Sequence, residues 1–131
     1  MTSAITADLR RLVVERAASA CEYCGIPESL TYFGCQIDHI VSVKHGGQAT
    51  PDNLCLACVF CNRFKGSDIG SIDPQTGTFV RFFNPRQDRW HEHFERLRGR
   101  IEPRSTIGEA TARILRFNDA DRILERLAMP G

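Results

Sequence analysis

The chain predicts an α+β fold: a small strand–loop–strand–helix core held between two cysteine knuckles, with an N-terminal helix and a helical C-terminal extension. Three observations predict it. The cysteines include two Cys-x-x-Cys pairs, Cys21/Cys24 and Cys58/Cys61. Between and just after these pairs, apolar residues alternate or run in short stretches that suit strands and one short helix. At both ends, apolar residues recur at helical spacing.

The elements follow in order. Thr6 is placed to cap a helix whose face is Leu9, Leu12, Val13, Arg16, Ala17 and Ala20, with Asp8 in its first turn. It runs into Cys21-Glu22-Tyr23-Cys24-Gly25, where Gly25 suits the tight turn of a metal knuckle. Residues 35–41 read as a strand, residues 44–52 as a loop marked by Gly46, Gly47 and Pro51, and residues 53–57 as a second extended run. Val59 to Lys65 reads as a short helix stopped by Gly66.

Beyond the core, Asp73-Pro74-Gln75-Thr76-Gly77 is a turn signal ahead of a strand at residues 79–83, so the stretch predicts a hairpin ended by Asn84-Pro85. Residues 88–97 predict a helix with Trp90, Phe94 and Leu97 on one face. Thr106 to Glu109 fits a capping box opening a helix through Phe117. Residues 119–127 predict a last helix with Ile123, Leu124 and Leu127 apolar. No internal repeat or linker interrupts the chain, which predicts one domain over residues 1–131: a core at 20–68 and an extension at 69–131 packed on it.

A chain of 131 residues suffices for one modest core. A net charge of +1 gives no global field toward nucleic acid, which leaves phosphate contacts to a local basic stripe. Fifteen of the 17 basic residues are Arg and only Lys44 and Lys65 are Lys. Genomic base composition accounts for such a skew; bidentate phosphate recognition is the functional alternative. Residues 1–7 contain no apolar leader, and no stretch approaches a membrane span, so the expected compartment is the cytoplasm. Six cysteines in a reducing compartment argue for metal over disulfides.

Each Cys-x-x-Cys offers two thiolates from one turn, and two turns complete a tetrahedral four-sulfur site with no open position. Cys21, Cys24, Cys58 and Cys61 are therefore expected to hold one structural zinc. Cys35 and Cys55 read as thiols in apolar strands. Spacing alone does not settle Cys55, because Cys55/Cys58 is also a Cys-x-x-Cys pair; Cys58/Cys61 is preferred because the short helix starts there and Asn62 follows directly.

Taken together, Cys21-x-x-Cys24, Ile37-Asp38-His39-Ile40-Val41, Gly46-Gly47, Asn53-Leu54, Cys58-x-x-Cys61-Asn62 and Lys65-Gly66 resemble the HNH endonucleases with zinc knuckles. The resemblance covers about residues 20–68. It implies a ββα-metal core stapled by the four-cysteine zinc, and a metal-dependent hydrolase of phosphodiester bonds. It implies His39 as the general base for the attacking water, and Asp38 and Asn62 as ligands of one divalent cation, magnesium or manganese. An oxygen donor set of this kind suits such a hard cation. Asn53 matches the position that holds the loop between the strands and so steadies the base. On a regular strand Asp38 and His39 point to opposite faces, so convergence demands a bend or bulge.

Lys65 and Arg63 are candidates for contact with a nucleic-acid phosphate; a solvated helix-end side chain is the alternative for each. DNA is the expected substrate, with RNA open. A non-catalytic zinc module that binds nucleic acid or protein is the competing function, and it has no need of Asp38, His39 and Asn62 together. In the extension, Arg81, Arg86, Arg89, Arg96, Arg98, Arg100 and Arg104 interleave with Asp88, Glu92, Glu95 and Glu102, which reads as a salt-bridged surface, with a DNA-facing arginine stripe as the alternative. His91 and His93 are spaced too closely to share a helix face and are not assigned to metal.

Overall fold

A computed structural model describes residues 4–130; the readings made of residues 1–3 and of Gly131 lie outside them. Helix α1 spans Ala7–Arg16, and Thr6 caps it by accepting the Leu9 amide at 3.1 Å. The helix stops short of the expected Ala20. Ala18 and Ser19 take positive φ, and the chain turns to pair with the far side of the first knuckle. Ser19 O accepts from Glu28 N at 2.8 Å and Ile26 O from Cys21 N at 2.9 Å. Those carbonyls and amides are therefore lost to the helix.

Strand β1 (Cys35–His39) pairs antiparallel with β2 (Leu54–Cys58) in unbroken register from Cys35↔Cys58 to His39↔Leu54. Every residue of β2 is buried. Its alternation explains why: Leu54 and Leu56 face α1 and pack with Val13, while Cys55 and Ala57 face the larger core. Helix α2 (Val59–Lys65) follows directly and ends at Gly66, which has φ 54°. The order strand–loop–strand–helix is as the sequence predicts.

The next hairpin also forms: β3 (Gly70–Ile72) pairs with β4 (Phe79–Arg81). Asp73 Oδ1 accepts from Gln75 N at 2.9 Å, and Gly77 takes φ 71°. The helix expected at residues 88–97 does not form. Only Trp90–His93 makes a helical turn, α3, and Phe94–Leu97 (β5) pairs with Arg100–Pro103 (β6). The Arg98-Gly99 turn between them was the signal to read, with Arg98 at φ 59°. Phe94 and Ile101 are buried in this hairpin, whereas Leu97 is exposed. Period-two burial wins over the helical spacing of Trp90, Phe94 and Leu97.

Helix α4 (Thr106–Ile114) is capped by Ser105, one residue before the expected cap, through a 2.9 Å bond from Gly108 N to Ser105 Oγ. Glu109 pairs with Arg113 rather than closing a capping box. The helix ends before Phe117 because Arg116 turns to φ 55°. In helix α5 (Ala120–Leu127) the expected apolar face is inverted: Arg122 and Arg126 are buried while Leu124 and Leu127 are exposed.

The larger core cluster draws on both halves of the chain. It joins the four knuckle cysteines, Tyr23 and Ile40 to Phe82, Phe83, Phe94, Ile101, Leu115 and Phe117. Among the described residues, no helix is long and apolar enough to cross a membrane.

Candidate metal centre and candidate active site

Cys21, Cys24, Cys58 and Cys61 come together: one sulfur from each lies within 4.8 Å of the others, and all four residues are buried. The Cys24–Cys58 sulfur pair stands at 3.8 Å. A tetrahedral site with zinc–sulfur bonds of about 2.3 Å has edges of about 3.8 Å. Each pair is a knuckle by its own hydrogen bond. Cys24 N donates to Cys21 Sγ and Cys61 N to Cys58 Sγ, both at 3.4 Å. The second knuckle doubles as the start of α2, since Cys58 is the helix N-cap. The cluster therefore fits a zinc ion in donor type, number and spacing. Cys55 is outside it; its sulfur faces Asp38 at 3.8 Å.

From the other side Arg122 reaches in. Its Nη2 lies 3.3 Å from Cys58 Sγ and 3.0 Å from Cys61 Sγ, with Arg122 only 2% exposed. Burial opposes the Arg122 charge, but Cys61, Cys24 and Cys58 outweigh it and push its pKa up. Neither hydropathy nor motif spacing marks Arg122 in the sequence, where it reads as a solvated helix residue.

The carboxylate of Asp38 sits behind β1 and is almost fully buried. Its two oxygens are used differently. Oδ2 meets Lys65 Nζ at 3.2 Å and accepts from Tyr23 OH at 3.2 Å. Oδ1 accepts from Asn62 Nδ2 at 3.0 Å. Burial pushes the Asp38 carboxyl up, and Lys65 and Tyr23 oppose the rise. Asp38 and Asn62 are thus brought together by β1 and α2. Their oxygens are the donor type a magnesium ion takes, and a turn of the Asn62 amide presents its oxygen instead of its nitrogen.

His39 is not on that side. The β1–β2 register has no bulge, and His39 pairs with Leu54, whose side chain faces α1. The alternation of a regular strand therefore directs the half-buried His39 away from the Asp38 face. It is, however, the last residue of β1, where the ladder ends.

The loop after His39 is tied by Asn53. Its Oδ1 accepts from Val41 N at 2.9 Å, and its Nδ2 donates to Val41 O at 2.9 Å and Gln48 O at 3.0 Å. Gly47 fits here because a Cβ would stand 1.7 Å from Val41 O and 2.7 Å from Asn53 Nδ2.

Lys65 departs from the expected surface position. It is 2% exposed, pairs with Asp38 and donates to His39 O at 3.0 Å, so its ammonium faces inward. Helical spacing carried the signal: Lys65 stands four residues after Cys61 and three after Asn62, on the inward face. Arg63 is exposed on the other side of α2. Tyr23, inside the first knuckle and fully buried, is a contact the sequence reading did not single out. In the extension, Arg81–Asp88, Arg86–Glu22 and Arg100–Glu102 ion pairs account for three of the clustered arginines. His93 Nδ1 bonds Ser105 Oγ at 2.6 Å.

No curated protein and no solved structure matches this chain. Residues 21–68, the segment that holds the cysteine cluster and carries Asp38, His39, Asn53 and Asn62, match the family model of the HNH endonucleases.

Proposed function

We propose that the chain is a metal-dependent HNH endonuclease that hydrolyses phosphodiester bonds of DNA. One observation carries the reading: within the family-matched segment, Asp38 has one oxygen locked by Lys65 and Tyr23 and offers the other toward Asn62.

In this reading Asp38 and Asn62 would hold a magnesium or manganese ion, which when bound would supply positive charge against the phosphate and the leaving oxygen. His39 would take a proton from the water that attacks phosphorus, while the phosphorus–3′ oxygen bond breaks and that oxygen leaves, taking its proton from solvent. Because the strand is regular, a phosphate would have to lie across the end of β1 for His39 and the Asp38–Asn62 pair to act on it from the two sides. Asn53 and Gly47 keep the loop after His39 in one shape. Arg63, exposed on α2, contacts a backbone phosphate; Lys65 positions Asp38 from within. The four-cysteine zinc is structural, with its sulfurs filling all positions.

The test is cleavage of plasmid DNA, with single-stranded DNA and RNA alongside, by zinc-loaded protein in magnesium or manganese. His39→Ala is expected to cut on the order of 100- to 10,000-fold more slowly. Cleavage of RNA alone moves the substrate assignment to RNA. Wild-type protein that cuts none of the substrates faster than His39→Ala overturns the reading.

A further inference from the structure

We propose that Arg122, from the last helix, belongs to the thiolate-metal site as its counter-cation and second-layer hydrogen-bond donor, holding the metal against exchange and the sulfurs against alkylation. This rests on the reading of the four cysteines as a zinc site, and is independent of the nuclease reading.

A guanidinium out of water needs a negative partner, because an unpaired buried charge is costly. Among the described residues, no carboxylate forms an ion pair with Arg122. Its Nη1 donates to the carbonyls of Leu115 at 2.8 Å and Arg116 at 3.2 Å, and its Nη2 to the sulfurs of Cys58 and Cys61. Its plane lies over Phe60, 5.4 Å from the ring centroid, which fixes it in place.

Four neutral thiols offer that cation little. A zinc ion with four thiolates carries a net charge of two minus, buried, and makes the complementary partner. One turn on, Arg126 is also buried; it bonds Gly99 O and Phe117 O, and burial holds its pKa down. Arg122 is the cation that touches the cluster sulfurs. Carbonyl bonds from the same guanidinium fix the turn between α4 and α5, so the extension supplies part of the metal site rather than merely covering it.

The test compares zinc-loaded wild type with Arg122→Met and, as a surface control, Arg11→Met. Zinc transfer to a chromogenic chelator and iodoacetamide alkylation of the cysteines are followed under native conditions. Arg122→Met is expected to hold zinc on the order of 10- to 100-fold more weakly, the range for loss of a second-layer partner, and to be alkylated faster; Arg11→Met behaves as wild type. Should Arg122→Met not fold, Arg122→Gln keeps a donor toward the sulfurs without the charge and is read the same way. Folded Arg122 variants with wild-type zinc transfer and alkylation overturn the proposal. Wild-type protein that purifies folded without zinc overturns the metal reading beneath it.

Discussion

The contact between Asp38 and Lys65 shows how a buried charge serves a site. Each partner is enclosed, and each is costly without the other. Removing one leaves a charge stranded. Lys65→Met or Asp38→Asn alone is therefore expected to cost about 3–5 kcal/mol. The double variant is expected to recover most of that loss, because neither charge remains. Urea denaturation of the zinc-loaded proteins checks this; single variants as stable as wild type would remove Lys65 from its positioning role. The role was legible in part. Placing α2 at Val59–Lys65 already sets Lys65 on the face of Cys61 and Asn62, but the depth of that face depends on β1 lying behind it.

At the scale of an element, the loop between β1 and β2 is held by close approach rather than by regular pairing. Gly46 and Gly47 are adjacent but answer to different constraints. Gly46 has φ 90° and open space where a Cβ would go, while Gly47 has Val41 O in that space. Gly46→Ala is expected to cost about 1–2 kcal/mol for the left-handed backbone. Gly47→Ala must push the loop away from Asn53 and is expected to cost more, about 3 kcal/mol, the upper end for overpacking, with slower cleavage as His39 loses its support. Equal losses in chemical denaturation would show that the loop gives way freely. The sequence marked both glycines as loop residues. It did not separate them, because backbone approach across the loop is set by the Asn53 side chain. The β5–β6 hairpin makes the same point: residues 94–97 suit a helix face or a strand, and the Arg98-Gly99 turn with Ile101 on the partner strand decides for the strand.

For the whole molecule, the four-cysteine cluster that fits a zinc ion lies inside the larger core rather than beside it. The same cluster holds the four cysteines and Phe83, Phe94, Leu115 and Phe117 from the extension. Structural zinc contributes roughly 10 kcal/mol of apparent binding energy, comparable with the total stability of about 5–15 kcal/mol for a domain. Chelation under reducing conditions is thus expected to unfold residues from both ends in one transition. Circular dichroism and tryptophan fluorescence should lose signal together, since Trp90 donates to Tyr23 O at 2.7 Å, inside the first knuckle. A melt in which the extension outlasts the knuckles would show two separate units.

By itself the sequence determined the chemistry available: two thiolate pairs, a carboxylate, an imidazole and two amides at spacings set by short local elements. Those are local properties, since a knuckle, a short strand and a seven-residue helix each follow from a few neighbouring residues. Tertiary structure alone decided which groups meet. It turned Lys65 inward onto Asp38, left His39 on the other face of β1, and carried Arg122 across 61 residues of chain to Cys61. Helical spacing sets Lys65 on an inward face but does not give its partner, and Arg122 reads as solvated in any local window. Their burial is stabilised only by partners that folding brings from elsewhere in the chain, so the charge pairing at Asp38 and at the cysteine cluster belongs to the fold.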